Sequence, residues 1–207
     1  MSARSTSYGE IRRHTPVDRL GRWLSTSKMR RWLGDTTGVR AADIGCGFDG
    51  ALALDLFPSA RSLLLVDVSI DPGLQHPGVT RLEGHLPAVL QQVPDESLDA
   101  VICNNVLEHL SDRTGLLREL HRVTAPGGCC LINVPSWRGK FFLEFAAFRL
   151  GVSPREEMED HKIYYDPRDL WPHLVAAGFL PSQIKTRRHK FGLNTIASCR
   201  KPGAAGV

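Results

Sequence analysis

The stretch Ala41-Ala42-Asp43-Ile44-Gly45-Cys46-Gly47-Phe48-Asp49-Gly50 constrains this chain more than any other. An apolar run from Val39 to Ile44 leads into it. Ala51, Leu52, Leu54, Leu56 and Phe57 leave it at helical spacing and stop at Pro58. The pattern predicts a strand, a glycine turn and a helix, a geometry that aims backbone N–H groups and the positive end of a helix at a ligand. Gly45 and Gly47 carry no Cβ, so the chain can turn tightly there and a ligand can come close to the backbone. Gly45, Gly47 and Gly50 also satisfy G-x-G-x-x-G, a spacing found at nucleotide-type sites and in tight turns of other α/β proteins.

Downstream, apolar runs alternate with turns. Arg61 to Asp67 holds the unbroken run Leu63-Leu64-Leu65-Val66, which reads as a parallel strand buried on both faces and sandwiched by helices. It ends at Asp67, 22 residues after Gly45. A carboxylate at that distance can accept hydrogen bonds from both hydroxyls of a ribose; the competing reading makes Asp67 a cap for the segment Asp67–Pro72. A short third strand, Val79–Leu82, runs into Glu83-Gly84-His85. The fourth, Ser97–Asn105, precedes Val106-Leu107-Glu108-His109-Leu110. Doubly wound sheets bind ligands at the carboxyl ends of their strands, which makes Asn104 and Asn105 candidates to address one; Asn105 fits a helix cap equally well. Glu108 and His109 are neighbours on an expected helix, point in different directions and lack a third ligand, so no metal site is expected. Leu116, Leu117, Leu120 and Val123 predict a helix ended by Pro126-Gly127-Gly128, and residues 129–135 a fifth strand.

The alternation then breaks. Phe141, Phe142, Leu143, Phe145, Phe148 and Leu150 cluster on an expected short helix, stopped by Ser153-Pro154 and followed by Glu156, Glu157, Glu159 and Asp160. An insertion over 136–165 would rise above the carboxyl edge of the sheet as a lid or acceptor-site wall; a satellite core or dimer contact is the alternative. A last helix opens at Pro167 and stops at Gly178. Ser182–Phe191 and Leu193–Cys199 read as two strands joined at Gly192. At the other end, residues 1–15 are polar and Pro16 can begin a helix. Val17, Leu20, Trp23, Leu24 and Ser27 give that helix an apolar face until about Gly34. It is expected to cover the sheet edge, with Trp23 and Trp32 as packing residues.

Asp43-x-Gly45-x-Gly47, read as Asp-Ile-Gly-Cys-Gly, resembles motif I of the class I S-adenosylmethionine (SAM)-dependent methyltransferases. Ser97-x-Asp99-x-Val101 with Val106-Leu107-Glu108-His109 is similar to the same family, as are Val123 to Pro135 and His161 to Phe179. The resemblance implies an α/β fold: a doubly wound, Rossmann-like, seven-stranded sheet with an antiparallel final strand and a helical insertion after the fifth. It implies SAM as cofactor, with contacts from Asp43, Gly45, Cys46, Gly47, Asp67, Val68, His85, Asn104 and Asn105. Many members read Gly-Asp-Ala after the third strand, the Asp meeting the adenine amino group. Here His85 follows Gly84, which leaves Glu83, His85 or a backbone group for that contact. SAM brings an activated methyl, so the protein's task is to align an acceptor atom behind it. A base is needed only if that atom arrives protonated; His161 and His109 are the candidates, since histidine titrates near neutrality. The implied reaction is transfer to an O or N atom of a small-molecule acceptor, and the aromatic insertion suggests an apolar or amphipathic one, lipid- or glycan-linked intermediates included. The alternatives are an NAD(P)-dependent oxidoreductase and a non-catalytic SAM-binding protein. Against the first, Tyr164 is followed at four residues by Arg168 and Tyr165 by Asp169, so no Tyr-x-x-x-Lys is present.

With 207 residues and 42% hydrophobic content the chain is expected to form one domain with a full core. That domain is divided into an N-terminal extension (1–38), the body, the 136–165 insertion and a disordered tail (202–207). No apolar run approaches the ~20 residues of a membrane span, and the first residues lack the apolar core of a secretory signal, so a cytoplasmic protein is expected. The five cysteines, Cys46, Cys103, Cys129, Cys130 and Cys199, form no C-x-x-C pair and read as buried reduced thiols. Residues 1–40 hold nine Lys/Arg against three acids, and residues 180–207 six against none. Such basic ends can attract nucleic acid, but no RNA-binding motif accompanies them, so solvated faces are the preferred reading and a nucleic-acid partner is not expected. The oligomeric state is open, a homodimer among the possibilities.

Overall fold

Runs without a polar break need cover on both faces, and here they pair into a central sheet with helices on either side. The structure, a computed structural model, describes residues 7–9, 16–141 and 163–203. In chain order the elements are α1 (Pro16–Leu33), β1 (Arg40–Ile44), α2 (Ala51–Leu56), β2 (Ser62–Asp67), β3 (Val79–Glu83), β4 (Leu98–Asn104), α3 (Arg113–Val123), β5 (Thr124–Pro135), α4 (Pro167–Ala176), β6 (Ile184–His189) and β7 (Asn194–Arg200). Short 3₁₀ turns at Ala88–Gln92 and Leu107–His109 link them. The expected base His161, the acidic run at 156–160, most of the 136–165 insertion and the tail beyond 203 lie outside the described residues.

The sheet has seven strands in the order β3-β2-β1-β4-β5-β7-β6. β1 to β5 are parallel; β7 runs antiparallel to both β5 and β6, between which it is inserted. The chain winds outward from β1 toward β3 and, after β3, returns to β4 on the other side of β1, so the order reverses at β1/β4. One core packs α3 and α4 against the sheet through Leu116, Leu117, Leu120, Leu170 and Leu174. The other packs α1 and α2 through Met29, Leu33, Leu52, Ala53 and Leu56. This is the doubly wound, Rossmann-like α/β fold implied above.

Several local expectations change. Met29 and Leu33 are buried against the sheet beside α2, so α1 covers a face rather than an edge. Trp32 packs there, whereas Trp23 is 63% exposed because it falls on the outer side of the helix. Pro126-Gly127-Gly128 does not separate α3 from the fifth strand: β5 starts at Thr124, directly after α3. The proline and glycines are accommodated as an irregularity, with Leu98 opposite Thr124 but Ala100 opposite Cys129, the usual way for a strand to carry extra residues. β6 ends at His189, and Lys190 and Phe191 belong to the turn. All five cysteines are buried and free.

Asp166 ties the closing elements together. It stands at the N-cap of α4, its backbone N–H donates to the Asp169 carboxylate at 3.0 Å, and its own carboxylate accepts from Arg188 of β6 at 2.6 Å. Asp166→Ala removes both a cap and a nearly buried ion-pair partner, and urea unfolding is expected to show a loss of about 1–3 kcal/mol. Arg188→Ala is expected to cost less, under about 1 kcal/mol, because the guanidinium is half exposed and the carboxylate keeps the positive end of α4.

Candidate functional site

The carboxyl ends of β1 to β5 and the β6–β7 turn share one edge of the sheet, and most of the predicted site residues meet there. Gly45 has φ +81, and a Cβ at this position would clash with the Val106 side chain. The glycine therefore lets the β1 tip and the segment after β4 approach closely. The N–H groups of the turn are spent within the protein, contrary to the expectation that they face a ligand. Gly45 and Cys46 donate to the Val66 carbonyl at 2.7 and 3.1 Å, and Phe48 donates to the Tyr8 carbonyl at 2.9 Å. Gly47 donates to Asp67 Oδ2 at 2.8 Å. α2 is only six residues long, so its dipole adds little.

What the β1 tip offers instead is Asp43. It is buried, and neither carboxylate oxygen has a hydrogen-bond partner. Burial, with the charge of Asp67 adding to it, holds its carboxyl well above the usual carboxylate range. Asp67, at the tip of β2, accepts from Gly47 N–H, from its own neighbour Val68 N–H at 2.7 Å, and lies 2.6 Å from Ser7 Oγ. Ser7 also accepts from Ser69 N–H at 2.9 Å and sits 2.5 Å from the Ser69 carbonyl. Residues 7–9 thus cross the glycine turn, and Ser7 takes up one acceptor position on Asp67. No periodicity or motif around Ser7 signals this contact. Cys46 is buried and its thiol is pushed far up by that burial, so it is a wall of the turn and not a nucleophile. At the tip of β3, Glu83 Oε1 accepts from Ile70 N–H at 2.7 Å, while His85 is exposed.

The other half of the edge is a network of amides. Asn133 Nδ2 donates to Asn104 Oδ1 at 2.9 Å and to Asn105 Oδ1 at 3.1 Å, and Asn194 Nδ2 reaches Asn105 Oδ1 at 3.3 Å. Asn105 has φ +56 and its N–H donates to the Asn133 carbonyl, so it is not a helix cap. Asn133 and Asn194 were not among the expected site residues. The available signal was a polar side chain inside the apolar run Leu131–Val134, in register with Asn104.

Glu108 and His109 sit on a single 3₁₀ turn rather than a helix. Glu108 is buried with neither oxygen hydrogen-bonded. Burial pushes its carboxyl up to about 8, against a weaker pull from Lys190. Lys190, on the β6–β7 turn, is itself lowered by burial to about 8. Among the described residues no group of His, Cys, Asp and Glu is arranged to hold a metal ion. A cleft of about 340 Å³ lined by Leu33, Asp35, Asp99, Gly128 and Arg200 opens at the opposite end of the strands, away from all of these groups.

Residues 42–132 match the family described as a methyltransferase domain. The chain is 29% identical over 168 residues to the ubiquinone biosynthesis O-methyltransferase of Aeromonas salmonicida, which covers 72% of this chain and 68% of that one. It is 24% identical to the enzyme of the same name from Ralstonia nicotianae, over 84% of this chain and 82% of that one. Among solved structures, a SAM-dependent methyltransferase from Archaeoglobus fulgidus superposes with a TM-score of 0.62 at 16% identity, covering 87% of this chain and 94% of that one, a likeness of fold.

The buried carboxyl of Glu108 makes a prediction about pH. Its folded value near 8 lies above the ordinary 4.5, so between those values the folded state holds a proton that the unfolded state has released. The stability this contributes is complete below the unfolded value and is lost as pH rises through the folded one. Thermal unfolding of Glu108→Gln is expected to fall less steeply than wild type between about pH 5 and 8. Lys190, with a folded value below its ordinary 10.5, acts with the opposite sign and only above pH 8 or so.

Proposed function

Because this chain belongs to the class I SAM-dependent methyltransferases, we propose that it transfers the methyl group of SAM to an oxygen or nitrogen of a small-molecule acceptor. The observation that carries the reading is Asp43, a buried carboxyl without a partner at the tip of β1. A cationic ligand supplies the countercharge it lacks. Asp67 on the next strand supplies an acceptor for ribose hydroxyls. These residues fit SAM, and they would hold it with Gly45, Cys46, Gly47, Val68, His85, Asn104 and Asn105 around them. The bound cofactor supplies a methyl already activated on a sulfonium.

The remaining work belongs to the chain. Asp43 and Asp67 fix the orientation, and well-oriented reactants can gain roughly 7–11 kcal/mol over free encounter. The amide network of Asn104, Asn105, Asn133 and Asn194 gives the acceptor half a rigid polar floor. His109 on the turn after β4, and His161 from the segment after β5, are the bases for an acceptor that arrives protonated. The names of the relatives favour oxygen over nitrogen as the acceptor atom. A lipid- or glycan-linked acceptor and a cytoplasmic site of action complete the reading. No helix among the described residues is long and apolar enough to cross a membrane.

Thermal unfolding with SAM, S-adenosylhomocysteine, NAD and NADP tests the cofactor: the first two should raise the melting temperature and the nicotinamides should not. The reverse pattern sinks the proposal. In calorimetric titration, Asp67→Ala should weaken S-adenosylhomocysteine binding by about 10- to 100-fold, the worth of a hydrogen bond to a charged group. Ser7→Ala, which removes one of the two hydrogen bonds to Asp67 Oδ1, should strengthen it. His161→Ala should lower kcat while leaving cofactor affinity near wild type; a loss of affinity at unchanged kcat would remove it from the catalytic role.

A further inference from the structure

Residues 7–9 lie directly on the glycine turn. Ser7 is 5% exposed. Its Oγ lies 2.6 Å from Asp67 Oδ1 and 2.5 Å from the Ser69 carbonyl, and it accepts from Ser69 N–H at 2.9 Å. The Tyr8 carbonyl accepts from Phe48 N–H at 2.9 Å and stands 3.1 Å from where a Cβ on Gly47 would be. The space left open by the missing side chain of Gly47 is therefore filled by the chain's own backbone.

This arrangement nearly saturates Asp67. A carboxylate offers about four acceptor positions. Three are taken: Val68 N–H at 2.7 Å and Ser7 Oγ lie on Oδ1, and Gly47 N–H at 2.8 Å lies on Oδ2. A ribose that presents both hydroxyls needs two. The two N–H groups are fixed by the β2 tip and the glycine turn. Ser7 comes from 60 residues away and is the partner that can leave. Its hold is light. One hydroxyl proton cannot serve Asp67 and the Ser69 carbonyl together, and Tyr8 is 43% exposed and belongs to neither apolar core. Segments held by a few hydrogen bonds with little apolar burial open at low cost.

We propose that residues 7–9 are a strap that closes the cofactor site of the free protein, and that SAM binds by displacing Ser7 from Asp67. This displacement rests on the SAM reading above and adds a control on that same site. The strap and a ribose held through both hydroxyls compete for one carboxylate. The measured affinity is then the intrinsic one reduced to the fraction of molecules whose strap is open. By linkage, whatever holds the strap down weakens the cofactor, and whatever loosens it strengthens the cofactor. The methyl group takes no part in this competition, so SAM and S-adenosylhomocysteine are affected alike.

Calorimetric titration of the full chain and of Ser7→Ala, with S-adenosylhomocysteine and with its 2′-deoxy analogue, tests it alongside NMR relaxation of the backbone amides of residues 7–9. Ser7→Ala should bind S-adenosylhomocysteine about 10-fold more tightly, the worth of one hydrogen bond to a charged group. The 2′-deoxy analogue, whose single remaining hydroxyl the fourth position already satisfies, should gain less than about twofold. Free Ser7→Ala should melt no higher than wild type; loss of a merely supporting contact would lower stability and affinity together. The amides of residues 7–9 should be ordered in the free protein and mobile once S-adenosylhomocysteine is bound. Equal or weaker binding by Ser7→Ala overturns the strap and leaves the cofactor reading in place, as do amides that stay ordered in the complex. An equal gain for the 2′-deoxy analogue overturns the competition for Asp67. Absence of binding to both proteins overturns the cofactor reading, and the strap falls with it.

Discussion

β1 pairs in parallel with β2 on one side and β4 on the other, and the rest of the molecule follows from that double pairing. Parallel neighbours bring all their carboxyl ends to one edge, and a reversal of strand order leaves the segments that follow β1 and β4 to diverge there. Gly45 lets the β1 tip sit against Val106 with no Cβ between them. The edge is thereby divided. Asp43, Asp67 and Glu83 stand on the β1–β3 side, and the asparagines, Glu108 and Lys190 on the β4–β7 side. The two apolar cores that hold the sheet from either face contribute nothing to this edge directly, but they fix the strand tips that carry it.

Buried polar groups usually find partners, and exceptions call for a reason. The asparagine network satisfies part of this edge: four side chains share three hydrogen bonds, while the buried Asn133 Oδ1 is left without one. Asp43 and Glu108 are the contrast. Both are buried carboxyls with no hydrogen bond to either oxygen, one in each half of the edge. On the β1–β3 side Asp43 is held toward its neutral form by burial, with the charge of Asp67 adding to it. In the other half burial outweighs both the Glu108 backbone N–H and the charge of Lys190, and Glu108 and Lys190 are each shifted toward their neutral forms.

Lys190 connects this interior to the surface. Its ammonium is felt by Glu108, while its backbone begins the left-handed turn that holds Phe191 outward. The same turn is hydrogen-bonded to Ser136 at the end of β5. The β4–β7 side of the edge and the exposed Phe191 turn are therefore tied together by hydrogen bonds.

The element order, the parallel strands, the two-sided core and the glycine turn were all legible in the residues, because hydrophobic period and glycine placement act over a few neighbours at a time. Asp43 and Asp67 could be picked out for the same reason: each stands at a fixed offset from the turn. The state of those residues was not legible. That the turn's N–H groups are consumed by Val66 and Tyr8, that Ser7 reaches Asp67, and that Asn133 and Asn194 complete the amide network are facts about chain segments many residues apart. The burial that shifts Glu108 and the strain at Phe191 are likewise set by what folds around them. Local sequence decides which groups are present at the strand tips. Only the packed chain decides which of them remain unpaired, because pairing depends on distances between segments that sequence spacing does not encode.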